Sequence, residues 1–357
     1  MNRPQGIGVG LVGLGVYLPE TVRTNDWWPE DWRREHAAEV DEVVLRHAYP
    51  YRTDLYRGSK ERRVIAEDMG AFEMEAAACK AALGAANVDP EQVDLLLGHS
   101  TVRDYVAASN HGLVANRVGL RHAVTAFEVC AGCVSFFFQL RVAARQIEAG
   151  ESEVALTYVS SAISRITDFT RPASVVIGDG AVAGVVARVE PGFGYIAQHS
   201  ITRGDLHGAI QAVPRSRPEV PWYRFDRYDD PLVVRRVDDA AAHQLGTNAA
   251  SFCRETCEPL FAKTGYGPED VDFFLVSQAS AWFPAAMCES LGIDPTKCLA
   301  PSEHFQKYGH LMDASAPLNL YLASQYGRLE KGDLLLIYTP GVGFNAAATL
   351  YRWNLDA

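Results

Sequence analysis

The chain has 357 residues, 48% hydrophobic and 22% charged, with a formal net charge of −11. A chain of this length can bury a large core in two domains or one doubled domain, and its excess of acid argues against nucleic acid, which is held mainly by basic surface. No apolar run reaches the roughly 20 residues that span a bilayer, and no export signal is read, so the seven cysteines are expected to be reduced thiols in a cytoplasmic protein without a membrane anchor.

The first apolar stretch, residues 6–17, is broken by glycines and has no basic leader, which predicts an opening strand and not a signal peptide. An aromatic-rich insert near 26–56 follows, carrying Trp27, Trp28, Trp32, Tyr49, Tyr51 and Tyr56, and is expected to cap the functional site. Helical spacing over 72–83 leads to an apolar run at 93–97, a strand-like segment at 126–129, a helix over 134–149 stopped by Gly150, and a strand at 154–159. The second half repeats the pattern with a helix over 240–262, a strand at 271–276, a helix over 314–326 and a strand at 334–338.

The two series are related in sequence. DPEQVDLLL at 89–97 recurs as GPEDVDFFL at 267–275, an offset of 178, and EVALTY at 153–158 is echoed by DLLLIY at 333–338, an offset of 180. An α/β chain of two similar halves, 1–188 and 189–357, is therefore expected. At the same offset Cys133 corresponds to position 313, so the second half's catalytic groups are expected near 313.

Cys133 stands after the small-residue turn Ala131-Gly132 and at the start of a predicted helix. Unpaired N–H groups there favour a thiolate and can face the oxygen that turns negative when a thioester is attacked. A redox pair or zinc half-site with Cys130 competes with this reading, but neither fits well: zinc needs further close ligands, and Cys253, Cys257, Cys288 and Cys298 provide no matching CxxC. Burial as small hydrophobes also competes, and local chemistry leaves nucleophile and filler evenly matched.

Residues along nearly the whole chain resemble the ketoacyl-ACP synthase III branch of the thiolase superfamily. The resemblance is carried by GLGVYLP at 13–19 with Thr24-Asn25, GSKERR at 58–63, FEVCAGC at 127–133, IGDGA at 177–181, GDLLLI at 332–337, GVGF at 341–344 and YRW at 351–353. It implies a five-layer α-β-α-β-α fold, a homodimer, and a tunnel through which a pantetheine arm delivers an acyl group to Cys133. Acyl-CoA or an acyl carrier protein is then the donor, with no metal or redox cofactor. The basic segments 57–63 and 215–227 are candidates for holding such anionic donors. Gly343, in the glycine loop, and Ser277 and Trp282, beside it in the second half, are expected around the oxyanion and the pocket.

The pattern departs from that branch at two positions. Ser277 holds the place of its loop histidine, and His310 that of its asparagine, with Asp313 three residues on. Decarboxylative condensation uses two donors on the extender's thioester oxygen, whereas passing an acyl group to a hydroxyl or amine needs a base. A Cys133–His310–Asp313 constellation fits the second task, with the carboxylate orienting the imidazole. It is similar to acyltransferases of antibiotic biosynthesis that acylate a sugar, an aminocyclitol or a similar small-molecule acceptor. The alternative is a condensing or starter-loading synthase of a polyketide pathway. Asp313 also suits a helix N-cap. His99, the counterpart of Ser277, and His304 receive no role.

Overall fold

The computed structural model describes residues 7–37, 46–224 and 230–356. Nine strands form the main sheet: β1 (Gly8–Tyr17), β2 (Leu95–Ser100), β3 (Thr125–Glu128), β4 (Ala155–Ser161), β5 (Gly180–Val189), β6 (Gly194–Thr202), β7 (Phe273–Val276), β8 (Leu334–Gly341) and β9 (Asn345–Arg352). Their order is β7-β8-β9-β6-β1-β5-β4-β2-β3. Outward from β1 and β6, which meet in parallel at Val9 and Gly194, each side shows two antiparallel pairings and then a parallel one, and the first-half side adds a second parallel pairing through β3.

The strands are apolar on both faces, which forces helices onto both. On β2, Leu95 and Leu97 turn to one cluster of buried residues and Leu96 to another; on β7, Phe273 and Leu275 oppose Phe274 and Val276 in the same way. Two helices, α3 (Ser135–Ala149) and α6 (Ser315–Gln325), share the inner cluster with strands of both halves. On the outer face of the first half lie α1 (Ala71–Ala86) and α2 (His111–Val118); on that of the second lie α4 (Ala249–Thr264) and α5 (Phe283–Leu291). Five layers result, α-β-α-β-α. Close approach explains one motif glycine: a Cβ at Gly15 would stand 2.2 Å from the Ala82 nitrogen in α1.

The single helix expected over 240–262 is two, Asp239–Thr247 and α4, because Gly246, Thr247 and Asn248 are weak helix formers and Asn248 leaves the helical region. The aromatic insert is described except for 38–45. Trp28 is buried beside the Arg62 guanidinium, 4.9 Å from its ring centroid, and Trp32 Nε1–H donates to the Thr170 carbonyl at 3.0 Å. Arg46 and His47 bond Glu289 on α5, so the insert bridges the two halves.

On α1, the buried Glu75 carboxylate accepts from Ser100 Oγ and Ser160 Oγ, each at 2.5 Å, and from Asn110 Nδ2 at 3.2 Å, tying the ends of β2 and β4 to the outer layer. Burial outweighs these donors and pushes its pKa up to about 7. The folded chain thus holds a proton that the unfolded chain releases, so stability should fall as pH rises from about 4.5 to about 7. Glu75→Gln is expected to flatten that slope, by on the order of 3 kcal/mol across the window, in urea unfolding at stepped pH. Equal slopes in variant and wild type would show that Glu75 does not carry the proton.

Candidate active site

The sequence around Cys133 builds a tight turn between β3 and α3. Gly132 adopts a positive φ of 58°, and Ser135 closes the turn by accepting from the Ala131 N–H at 3.0 Å and donating to the Gly132 carbonyl at 2.6 Å. Cys133 is 6% exposed. The loop 341–343 lies against it, close enough that a Cβ at Gly341 would stand 2.9 Å from the Cys133 nitrogen. Backbone N–H groups of Cys133 and Val342 face the sulfur and favour its thiolate. The glycine loop therefore reaches Cys133 through Val342; Gly343, with φ 121°, sits one residue further, beside Asn345.

The second half delivers Asp313 to the same place. A 3-10 turn over Met312–Ala314 precedes α6, and Asp313 is 2% exposed. Its carboxylate faces the Cys133 thiol, and burial first, then this carboxylate, raise the thiol pKa well above its ordinary value. The Cys133 thiol proton thus has an acceptor at hand. The equivalence of positions 133 and 313 becomes a contact, because the twofold pattern points the starts of α3 and α6 at each other.

Asp313 does not bond His310. Its Oδ2 accepts from Thr101 Oγ1 and lies against His99 Nε2, both at 2.8 Å. Residues three apart share a face only in a regular helix, and this segment is not one. His310 is held in a bridge to Ile177, with its N–H on the Val176 carbonyl at 2.6 Å, and Met312 then takes a positive φ of 45°. The kink turns the carboxylate toward the first half, and it acts on His310 only through space.

Burial alone would push His99 down, but Asp313 reverses the balance and holds its pKa at about 10, so the pair is an imidazolium and a carboxylate. Nε2 of His99 also lies 3.8 Å from the exposed Cys130 sulfur. His99 was passed over in sequence, where its one signal was its pseudosymmetric equivalence to Ser277.

His310 belongs to a different environment. Burial pushes its pKa down to about 4, so it is neutral near pH 7. Its Nδ1 is 3.0 Å from Ser315 Oγ, which accepts from the Leu311 N–H at 2.8 Å; where the hydroxyl proton points to Nδ1, the imidazole proton is on Nε2. The main chain of Gln278 faces the same ring, which places it at the loop of Ser277. Ser277 is 1% exposed, and its hydroxyl has no partner among the described residues.

Beyond this loop lies a cavity of about 820 Å³, lined by Ala279, Ser280, Trp282 and Phe283, by Tyr51, Arg52 and Arg57 of the insert and its flank, and by Arg236 and His243 of the second half. Cys133 is not among its lining residues. Val176, whose carbonyl holds His310, is at its inner end. Of the expected basic segments, Arg57 lines this cavity. Arg62 instead donates to the Val175 carbonyl at 2.7 Å and to Asn25 at 2.6 Å, so it is structural. Arg215 lies 3.7 Å from Asp168, and 225–227 fall outside the described residues.

Residues 127–204 match the family described as 3-oxoacyl-acyl-carrier-protein (ACP) synthase III, and residues 261–353 match its C-terminal family. The chain is 28% identical over 349 residues to the β-ketoacyl-acyl-carrier-protein synthase III of Aquifex aeolicus (strain VF5), covering 97% of this chain and 100% of the relative. It is 27% identical over 353 residues to that of Desulfitobacterium hafniense (strain DSM 10664 / DCB-2), covering 98% of each. The crystal structure of the Aquifex aeolicus VF5 enzyme superposes with a TM-score of 0.78 at 27% identity, over 97% of this chain and 100% of that one. Xanthomonas campestris OleA with bound lauric acid and lauroyl-CoA shares the fold, with a TM-score of 0.79 at 22% identity over 97% of this chain and 99% of that one.

Asp313→Asn preserves shape and removes the charge. Its His99 is expected to be neutral at pH 7, with ring nitrogens titrating below 7 in 15N NMR instead of near 10. In the wild type, the stability owed to this raised pKa is full below about pH 6.5 and lost as pH rises toward about 10. That loss should vanish in Asp313→Asn. An imidazole that stays charged at pH 7 in the variant would remove the ion-pair assignment.

Proposed function

This chain belongs to the 3-oxoacyl-acyl-carrier-protein synthase III family of the thiolase superfamily, and from that premise we propose that it loads an acyl group from acyl-CoA or an acyl carrier protein onto Cys133 and joins it to a second acyl thioester by carbon–carbon bond formation. In the loading step the Cys133 proton passes to Asp313 while the sulfur attacks the thioester carbonyl. The N–H groups of Cys133 and Val342 receive the oxyanion; as it collapses the donor's C–S bond breaks, and the donor leaves as a thiolate that takes a proton from solvent. The 820 Å³ cavity beside Trp282, with Arg52, Arg57 and Arg236 on its wall, is suited to an anionic carrier and its arm.

The observation that carries the condensing reading is the state of His310. A neutral imidazole with no carboxylate bonded to Nδ1, whose proton is on Nε2 when the Ser315 hydroxyl donates to Nδ1, is a hydrogen-bond donor and not the base of a triad. With the unpartnered Ser277 hydroxyl it supplies two donors for the carbonyl oxygen of a malonyl-class thioester. As the C–CO2 bond breaks, its electrons enter that thioester as an enolate. The enolate carbon attacks the acyl-Cys133 carbonyl, the C–S bond breaks, and the sulfur recovers its proton from Asp313.

The exchange of the family's histidine and asparagine for Ser277 and His310 favours a second reading, transfer of the acyl group to a hydroxyl or amine of a small-molecule acceptor in polyketide or antibiotic biosynthesis. The two readings differ in their products. Intact mass after incubation with acyl-CoA and acyl-carrier donors is expected to show an adduct on wild type and His310→Ala and none on Cys133→Ala. An adduct on Cys133→Ala would remove the nucleophile. With a labelled malonyl thioester, wild type is expected to release carbon dioxide, and His310→Ala to release it at least about a hundredfold more slowly. Ester or amide formation without carbon dioxide would instead establish the second reading.

A further inference from the structure

Cys130 takes no part in the proposed reaction, yet its surroundings are those of a reactive thiol. It is exposed, while Cys133, three residues on, is buried. Its sulfur lies 3.8 Å from Nε2 of His99, whose positive charge is maintained by Asp313 at 2.8 Å. The same carboxylate faces the Cys133 thiol. One buried ion pair therefore serves both sulfurs, with its cation toward the exposed one and its anion toward the buried one. Contact with His99 also draws the Cys130 thiol below its ordinary pKa. The two cysteines flank the tight Ala131-Gly132 turn, in which Gly132 takes a φ of 58° and Ser135 accepts from the Ala131 N–H.

We propose that Cys130 and Cys133 are a redox-active dithiol that a small-molecule disulfide closes into a disulfide bond, with Cys130 as the attacking sulfur and Cys133 as the resolving one. The Cys130 sulfur attacks one sulfur of the small disulfide, forming a mixed disulfide and expelling a thiolate that takes a proton from solvent. Cys133 then gives its proton to Asp313 and attacks the Cys130 sulfur, releasing the second thiol. Two protein thiols lose two electrons, and one small disulfide is reduced to two thiols. Closure occupies the Cys133 sulfur, so the oxidised chain cannot be acylated; this consequence rests on Cys133 being the acyl carrier.

The test treats the full chain with oxidised glutathione, quenches with acid, blocks free thiols with N-ethylmaleimide and maps disulfides by mass spectrometry. A Cys130–Cys133 bond is expected, with acyl loading falling at least tenfold and returning on reduction. Cys130→Ser should keep most of the loading that it shows before treatment. His99→Asn should slow alkylation of Cys130 at pH 7 by about tenfold, because less thiolate is present. Cys288 and Cys298, whose buried sulfurs are 3.1 Å apart, are the internal control. A bond found only there, or equal loss of loading in Cys130→Ser and wild type, would overturn the proposal. A chain that forms the Cys130–Cys133 bond and still loads at its former rate would leave the dithiol standing and remove Cys133 as acyl carrier.

Discussion

The His99–Asp313 ion pair is the interaction around which the site is arranged. Both groups are almost fully buried, and neither charge would be stable there alone: removing one partner of such a pair costs on the order of 3–5 kcal/mol. Because the carboxylate comes from the second half and the imidazole from the first, the pair forms only when the two halves close on each other. It also decides the state of each thiol. Asp313 opposes ionisation of Cys133, and His99 favours ionisation of Cys130. The Cys133 sulfur is a shielded thiol beside a carboxylate, not a free-standing thiolate.

The fold explains why these groups meet. In the first half β3 runs into a turn and then α3, in the second the 3-10 turn Met312–Ala314 leads into α6, and the twofold pattern points the first turns of α3 and α6 at one another. Cys133 stands before one of these helices and Asp313 before the other. His99 and Ser277 end their strands at equivalent places, so the second pair of functional side chains obeys the same symmetry. His310 enters from a bridge to Ile177 and faces the Ser277–Gln278 turn, separate from the ion pair. The site thus divides into a thiol side, with Cys133 and Asp313, and a second side, with Ser277 and His310. The proposed reaction between two thioesters would use both.

The α/β class and the doubling were legible in the chain, from short apolar runs between helical segments, helical spacing stopped by Gly150, and a repeat at an offset of about 180 residues; the five-layer order came from the family resemblance. The position of Asp313 against Cys133 followed from the same offset. The aromatic insert was visible as a composition shift, although its role as a bridge between the halves depends on Arg46 and His47 finding Glu289 on a distant helix. The break at Asn248 was missed because weak helix formers are tolerated in many helices, and only the local backbone shows where one ends.

What the sequence determined by itself is which residues could do chemistry: a cysteine at a strand–turn–helix junction, a serine and a histidine at two diverged positions, and an aspartate equivalent to the cysteine. Which histidine the aspartate would hold was decided by tertiary structure. Three-residue spacing puts His310 and Asp313 on one face only if the helix already runs through them, and the positive φ at Met312 breaks that assumption. His99, more than two hundred residues away in sequence, takes the carboxylate instead. The preference is set by the direction in which one kinked turn aims a side chain, which residue spacing does not encode.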